Sequence, residues 1–289
     1  METIIATNSI NTKIEKIIER LVPMDDEFFR ALAEYKEFCE EFLRTVLEDE
    51  SLEVLQNIPQ RRLNNQKCLY VILDAYCKLS TNEHVLIEVQ KGEKDNQQKR
   101  LRYNASLFTV NTTKAKTAFK DIKNICCILV SDFDPFKGDK AIYHINRVVQ
   151  ELGINADNGI REIYINSANK DGSKIAKLME IFVKDDAYDK KSFPTTSKLK
   201  YMLKHTKEGK NKMTALIREV FKNEFEESAI ENRNKGKREG KREGKREGEF
   251  TFAYKMFKKG RMTIEEIAQD IGISINDLLA GFEKYNLAL

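Results

Sequence analysis

Two short apolar runs separated by a polar segment form the clearest pattern along this chain. Residues 68–77 (CLYVILDAYC) and 84–90 (HVLIEVQ) are rich in Val, Ile, Leu, Tyr and Cys, and the KLSTNE segment between them favours a turn. The pattern therefore predicts a β-hairpin centred near Thr81. Antiparallel pairing about that centre places Asp74 opposite Glu88, and directly opposed residues project from the same face of a sheet.

Alternation along the second run places Gln90 on the face of Glu88 and turns Val85, Ile87 and Val89 to the other face. The first run is apolar at every position just before Asp74, which is typical of a strand covered on both faces. A lone carboxylate at such a position is costly unless it is paired or bound to a metal ion.

The rest of the pattern predicts a chain that alternates between helices and strands. Strand, strand, helix, strand and helix follow each other, which is the order of an α/β sandwich, with a central sheet flanked by helices. The predicted elements are helices within residues 8–58, a helix from about Gln97, a central strand at Ile122–Val130, a helix at Ala141–Leu152, a short strand at Glu162–Ile165 and a helix at Ser173–Val183.

The C-terminal third is helical and charged, and it contains the repeat KGKREGKREGKREG at residues 235–248. Each Gly costs nearly 1 kcal/mol within a helix, so the repeat is a marginal helix or a solvated linker, with a nucleic-acid-binding arm as the alternative. The predicted organisation is a first domain at residues 1–192, a helical extension at 193–234, the basic segment at 235–248 and a helical hairpin at 249–289.

The final hairpin carries two helix-start signatures, Thr263 with Glu266 and Ser274 with Asp277, and a helix stop at Gly272. Two short helices around a glycine turn resemble a helix-turn-helix. The second helix offers few basic or amide side chains for reading DNA bases. We therefore predict a docking or self-association element, and with it a homo-oligomer formed through the C-terminal helices.

Composition narrows the class of protein without deciding its partner. The chain has 289 residues and a net charge of +4, with 41% hydrophobic and 33% charged residues, which predicts a soluble protein with one substantial core and an appendage. No apolar run reaches the length of a membrane span, and the N-terminus lacks the features of a signal peptide.

The five cysteines show no C-x-x-C spacing, which favours reduced thiols in a cytoplasmic protein. Clusters of Lys and Arg at 190–212 and 233–246 are either phosphate contacts or solvated helix faces.

The opposed carboxylates are the candidate chemistry. Like charges opposite each other destabilise a sheet, so a cation that neutralises them is expected. Mg²⁺ takes oxygen ligands and needs only one or two protein carboxylates, and such ions assist phosphodiester hydrolysis. The alternative is that Asp74 and Glu88 are ordinary acidic residues on a solvated strand face.

The helix after the hairpin supplies a cation. Arg100, Tyr103 and Leu107 share one helix face, and the guanidinium of Arg100 suits bidentate contact with a phosphate. The alternative for Arg100 is a salt bridge with the acidic hairpin, which also places it beside the site. Tyr103 is predicted to be a packing residue more than a chemical one.

These motifs resemble the PD-(D/E)XK nuclease family transposases, also described as recombination-promoting nucleases. The pattern D-x13-E-x-Q is formed by Asp74, Glu88 and Gln90, and in this family a Gln commonly replaces the catalytic Lys. The helix QQKRLRYNASLF (97–108) is similar to the family's R-x-x-Y helix, and NICCILVSDFDPF (124–136) to its next core strand. Two departures are Asn104, where the family often has a second Tyr, and REIYINSANK (161–170) in place of a strand that ends in Glu-Leu.

The resemblance implies a restriction-endonuclease-like α/β/α core and a Mg²⁺-dependent endonuclease, with Mn²⁺ as a substitute, that acts on double-stranded DNA. It implies that Asp74 and Glu88 hold the metal, that Gln90 orients water or contacts phosphate, and that Arg100 offsets charge. Lys99, Arg100 and Tyr103 are the expected nucleic-acid contacts. The N-terminal helices are a further source of an acidic ligand, with Glu40 or Glu41 as the place to look, and neither is chosen as a site residue. The expected location is the cytoplasm, at the nucleoid when DNA is bound. The alternative function is a catalytically weak or inactive nuclease fold that acts as a DNA-binding or protein-interaction module.

Overall fold

The computed structural model describes residues 14–64, 70–93 and 96–287, and of residues 223–236 the backbone alone. The chain divides into two compact units, Met1–Glu219 and Val220–Leu289.

The first unit is built on a six-stranded mixed sheet, in the order β1-β2-β3-β4-β8-β5. The first three strands are antiparallel to each other, β3, β4 and β8 are parallel, and β5 is antiparallel to β8. The strands are β1 (Val54–Leu63), β2 (Val71–Leu79), β3 (His84–Gln90), β4 (Ile125–Ser131), β5 (Ile142–Ile145), a separate ribbon of β6 (Val148–Val149) and β7 (Ile154–Asn155), and β8 (Ile160–Asn166).

Helices cover both faces of this sheet, which confirms the predicted α/β architecture with a helical extension. Residues 14–20 are also helical. The helices are α1 (Asp26–Ala33), α2 (Lys36–Leu47), α3 (Gln97–Thr112), α4 (Lys174–Val183), α5 (Pro194–His205), α6 (Lys207–Lys258), α7 (Ile264–Ile271) and α8 (Ile275–Lys284).

A first core lies between the sheet and the helices α1, α2, α4 and α5. Four phenylalanines stack or meet edge-on at its centre, with ring centroids 5.8–6.4 Å apart: Phe29, Phe38, Phe42 and Phe182. Val85, Ile87 and Val89 of β3 project into this core. The face predicted for these three residues is therefore confirmed.

A second core lies between the opposite face of the sheet and α3. It joins Leu101, Ala105 and Phe108 of α3 to Leu86 of β3 and Tyr164 of β8. Both faces of the central strands β3 and β4 are thus covered. The expectation of a strand covered on both faces just before Asp74 is wrong, because Leu73 is buried there but Ile72 is 40% exposed. Glu88 and Gln90 have the same parity along β3 as Leu86, so they lie on the α3 side.

Two predicted helical segments differ from the structure. The first, within residues 8–58, is wrong at its C-terminal end, and the second, at residues 141–152, is wrong throughout. Residues 54–58 belong to β1, because pairing with β2 overrides the near-helical spacing of Val54, Leu55 and Ile58. The predicted helix at Ala141–Leu152 is instead β5 followed by β6. Its apolar residues do recur at helical spacing, but the open edge of β8 offers backbone hydrogen bonds that the segment takes as a strand.

The second unit contains the end of α6 and the two short helices α7 and α8 around a small apolar cluster that includes Ala253, Ile267 and Phe282. Thr263 and Glu266 form the predicted capping box. Gly272 ends α7 with a φ of 73°, as its position as a helix stop predicts. The Lys-Arg-Glu-Gly repeat is helical, and its residues from 237 to 248 are all exposed.

Across the described residues, no helix combines the length and the apolar character needed to cross a bilayer. Cys39, Cys77, Cys126 and Cys127 are buried free thiols, and Cys68 lies outside the described residues.

Candidate functional site

The candidate site lies where β2 and β3 separate. Their ladder runs from Lys78↔His84 to Ala75↔Ile87. One further step of this register brings Asp74 opposite Glu88, which is the pairing that the turn centre predicts. There the ladder ends, and the side chain of Asp74 takes the place of a backbone acceptor: its Oδ2 accepts a hydrogen bond of 2.7 Å from the backbone N–H of Val89.

A kink in β1 explains why β2 bends at this point. Pro59 pairs with Ala75 and Arg61 with Leu73, but Gln60, with a φ of 51°, does not pair with Asp74. A left-handed φ is unfavourable for a residue with a side chain, and Pro cannot donate to the ladder. The bend turns β2 so that Leu73 packs in the second core and Ala75 in the first, although they lie two residues apart. Asp74 between them faces the opening.

Glu88 is only 1% exposed, and its hydrogen-bond partners among the described residues are side chains of α3. Its Oε1 accepts a hydrogen bond of 3.0 Å from Nδ2 of Asn104. Its Oε2 lies 3.2 Å from a guanidinium nitrogen of Arg100. The other terminal nitrogen of Arg100 donates to Oε1 of Gln90 at 2.9 Å. Arg100 and Asn104 stand one helical turn apart, so both reach the same carboxylate.

The electrostatics of the two carboxylates are unfavourable in this arrangement. Burial raises the pKa of Glu88, the neighbouring Asp74 carboxylate raises it further, and Arg100 lowers it. Burial also raises the pKa of Asp74, against the hydrogen bond from Val89 and with a smaller contribution from Asp26. The protein therefore keeps two acidic groups close together in a desolvated place with one nearby guanidinium.

The structure brings Glu88, Gln90 and Arg100 into one hydrogen-bonded group, with Asp74 beside it. Lys99 and Tyr103 lie on the exposed side of the same helix, Tyr103 with 38% of its surface exposed. Tyr103 is thus more exposed than the packing role predicted for it requires. Asn96 caps α3 by accepting a hydrogen bond from the backbone N–H of Lys99, which fixes the first turn of α3 beside the end of β3.

Neither Glu40 nor Glu41 belongs to the group around Glu88. Glu40 accepts a hydrogen bond of 3.0 Å from the backbone N–H of Val54. Glu41 accepts two hydrogen bonds, 2.9 and 2.7 Å long, from the backbone N–H groups of Thr195 and Thr196. These contacts anchor β1 and cap the start of α5, so both residues have structural roles.

Two residues near the site escape prediction from the sequence. Asp26, in the first turn of α1, is close enough to raise the pKa of both Asp74 and Glu88. Asn104, which interrupts the family pattern, is the buried donor to Glu88. Its spacing of four residues from Arg100 was the available signal, because residues at i and i+4 share a helix face.

The donor set fits a hard divalent cation. Carboxylate oxygens from two neighbouring strands are the ligands that Mg²⁺ prefers, and this ion needs only one or two of them from protein. Over the described ranges, no group of three His, Cys, Asp or Glu side chains is arranged to hold a metal ion. Two protein carboxylates suit an ion that keeps water in its coordination shell.

A mixed sheet that carries an acidic pair on adjoining strands, with an Arg on the following helix, has the architecture of a PD-(D/E)XK nuclease. The model of the PD-(D/E)XK nuclease family transposases matches residues 29–248, and the chain belongs to this family. Membership indicates a nuclease-like function, and with it DNA as the class of substrate. No curated protein matches the chain, and no solved structure does.

Proposed function

We propose that the protein is a Mg²⁺-dependent DNA endonuclease that cuts phosphodiester bonds of double-stranded DNA and thereby promotes recombination. The opening between β2 and β3 is the observation that supports this most. Two desolvated carboxylates repel each other there, and within the described part of the chain the guanidinium of Arg100 is the cation that contacts Glu88. A divalent cation bound between the two carboxylates would relieve this repulsion.

Asp74 and Glu88 would hold Mg²⁺, or Mn²⁺ in its place, together with a main-chain carbonyl. When bound, an ion of this kind activates water and stabilises the charge of the phosphoryl group during in-line displacement.

The residues around the carboxylates have separate tasks. Asn104 holds one oxygen of Glu88 and so fixes the direction of the other. The neutral amide of Gln90 would orient the attacking water or contact a phosphate oxygen. Arg100 uses two of its five N–H groups on Gln90 and Glu88, which leaves three for a phosphate. Lys99 and Tyr103, exposed beside Arg100, would contact the nucleic acid next to the cut.

The test is cleavage of supercoiled plasmid by the purified full-length protein, with Mg²⁺, with Mn²⁺ and with chelator. Asp74→Asn removes one charge from the site with little change in shape. Glu208→Gln is the matched control, because this carboxylate is exposed on α6. We expect metal-dependent cleavage that Asp74→Asn abolishes and the control keeps. Cleavage that survives in Asp74→Asn, or that needs no divalent ion, contradicts the proposal.

The neutral Gln90 in place of a Lys favours a second function, a binding module without catalysis. A Gln cannot offset transition-state charge as a Lys does. Calorimetry separates the two hypotheses, since a binding module takes up no divalent ion at Asp74 and Glu88 but retains salt-sensitive binding of DNA.

Self-association through the C-terminal helices remains a prediction, which the exposure of Phe252, at 66%, supports. Sedimentation of the full-length protein over a range of concentrations tests it, with Phe252→Ser as the variant. A mass that stays monomeric throughout contradicts it.

A further inference from the structure

The hairpin of β1 and β2 continues past the candidate site. The last pair between β2 and β3 is Ala75↔Ile87, whereas β1 and β2 go on through three more pairs, Arg61↔Leu73, Arg62↔Ile72 and Leu63↔Val71. Among the residues that the structure describes, no strand pairs with this extension on the β3 side. Its two faces differ sharply.

One face of the extension is buried. Leu63 and Leu73 are members of the second core, and Val71 packs against it. The extension is thus packed against the core of the first unit.

The other face carries a strip of three exposed side chains, Arg62, Tyr70 and Ile72, which we call the hairpin strip. Tyr70 is 52% exposed and Ile72 is 40% exposed. The guanidinium carbon of Arg62 lies 4.0 Å from the centre of the Tyr70 ring. Among the ion pairs formed by the described residues, none involves Arg61 or Arg62.

The hairpin strip lies on the strand that carries Asp74. Tyr70 and Ile72 precede Asp74 by four and two residues on the same strand. At about 3.3 Å per residue, the Cα of Tyr70 is at most about 13 Å from that of Asp74. Successive phosphates of one strand of duplex DNA advance by about 3.4 Å, so this distance spans roughly four nucleotides.

The chemistry of the strip suits unpaired nucleotides. An exposed ring stacks on the face of any base, but bases offer their faces only where they are unpaired. An arginine without a carboxylate partner binds phosphate, and a guanidinium stacked on a tyrosine stays oriented for that contact. A paired duplex would use Arg62 but would leave Tyr70 and Ile72 in water.

We propose that the hairpin strip binds unpaired nucleotides of the substrate strand beside the scissile phosphate. The protein then prefers DNA in which duplex adjoins a short single-stranded stretch, such as a tail or a frayed end, over an unbroken duplex. This inference rests on the proposed nuclease function and specifies its substrate.

The experiment measures binding apart from cleavage. Fluorescence anisotropy without divalent ions compares a blunt duplex with the same duplex carrying a tail of about four unpaired nucleotides, of either polarity. The full-length proteins are the wild type, Tyr70→Ala, Tyr70→Phe and Arg62→Gln. Tyr201→Ala is the matched control, since Tyr201 is 53% exposed on α5. Thermal unfolding of each variant verifies that it is folded.

We expect the wild type to bind tailed DNA more tightly than blunt DNA. Loss of one stacked base is worth about 5- to 150-fold in affinity, so Tyr70→Ala should lose that much on the tailed DNA and little on the blunt one. Tyr70→Phe and Tyr201→Ala should stay within about twofold of the wild type. Arg62→Gln should lower the salt dependence by about one phosphate contact, a slope change of roughly 0.7.

Three results overturn the inference: equal wild-type affinity for the two DNAs, an unchanged affinity of Tyr70→Ala for tailed DNA, or no binding of nucleic acid at all. Plasmid cleavage that depends on Asp74 distinguishes these failures from failure of the nuclease function. Suppose that cleavage depends on Asp74 but Tyr70→Ala binds tailed DNA as tightly as the wild type does. The nuclease function then stands, and the proposed role of the hairpin strip is contradicted.

Discussion

The two faces of the sheet hold their acidic groups in different ways. On the side of the first core, Glu40 and Glu41 bind backbone N–H groups of Val54, Thr195 and Thr196. On the side of the second core, Glu88 is held by the side chains of Arg100 and Asn104. The first kind of contact is part of the fold, because the backbone groups cannot turn away.

The second kind of contact can rearrange. A side-chain donor gives up a carboxylate oxygen by changing rotamer, without unfolding any element. A buried carboxylate held only by side chains is therefore able to exchange a donor for a metal ion or a substrate. The comparison distinguishes Glu88 from Glu40 and Glu41 by their partners. Asp74 shares features of both, because its Oδ2 accepts from the backbone N–H of Val89 while it lies beside Glu88.

The largest expected effect comes from Glu88→Gln. We expect cleavage to fall on the order of 10³-fold or more, because the metal would lose a charged ligand. Stability should change by no more than about 1 kcal/mol, since relief of buried charge offsets the lost acceptor. Glu41→Gln is the counterpart on the other face: it should keep cleavage and lower the free energy of unfolding by about 1 kcal/mol. Plasmid cleavage and urea unfolding measure both, and a Glu41→Gln protein without activity would undo the comparison.

Phe29→Ala tests the closed character of the first core. Phe29 is fully buried and contacts the rings of Phe38, Phe42 and Phe182. Its truncation should lower the free energy of unfolding by about 3–5 kcal/mol, through lost burial and the cavity that remains. Urea unfolding measures this. Cleavage per folded molecule should stay near that of the wild type, and a selective loss of activity at full stability would place function on this face as well.

Much of the fold follows from local pattern. The turn between the two apolar runs determines the register of β2 on β3, which ends at Ala75↔Ile87, one step before Asp74 and Glu88. Alternation determines which residues of β3 enter the first core. The capping box of α7 and the stop at Gly272 are local signals too. These features depend on neighbours in sequence, and the sequence shows them directly.

Other features depend on partners far away in the chain. β5 is a strand because β8 has an open edge, and β1 begins at Val54 because β2 lies beside it. Glu41 looks like a candidate ligand until α5, about 150 residues later, presents its N–H groups. Asn104 looks like an interruption of a motif until Glu88 is placed under it. In each of these cases the outcome depends on a contact between residues far apart in sequence, which a local sequence pattern does not show.

Asn104→Leu tests whether the side-chain contact on Glu88 matters for chemistry. Leu fills similar space but cannot donate, so Oε1 of Glu88 loses its partner in a buried place. We expect cleavage to fall by about 10- to 100-fold, mainly in kcat, and the pH profile to shift, because the hydrogen bond favours the ionised carboxylate. Ser106→Ala on the exposed side of α3 is the control and should change neither. An unchanged pH profile with a uniform loss of folded protein would mean that Asn104 is structural.

The smallest effect concerns His84, a second polar group in the α3 face. Its Nδ1 shares a hydrogen bond of 2.7 Å with the hydroxyl of Tyr76, and Nε2 is buried without a partner among the described residues. Burial, with Lys123, Lys78 and Arg61 nearby, lowers the pKa of His84 to about 4.

The pKa of His84 in the unfolded chain is about 6.5, so between pH 6.5 and 4 His84 is protonated in the unfolded chain but neutral in the folded protein. Stability should therefore fall as the pH falls through that window, by roughly 1–3 kcal/mol from this group, and be fully present above it. Urea unfolding at pH 7, 5.5 and 4.5 measures the decline, and His84→Phe isolates the share of His84 from that of the carboxylates. Suppose instead that the free energy of unfolding declines equally with pH in the wild type and the variant. His84 would then accept its proton in the folded state, and the α3 face would tolerate a charge at His84.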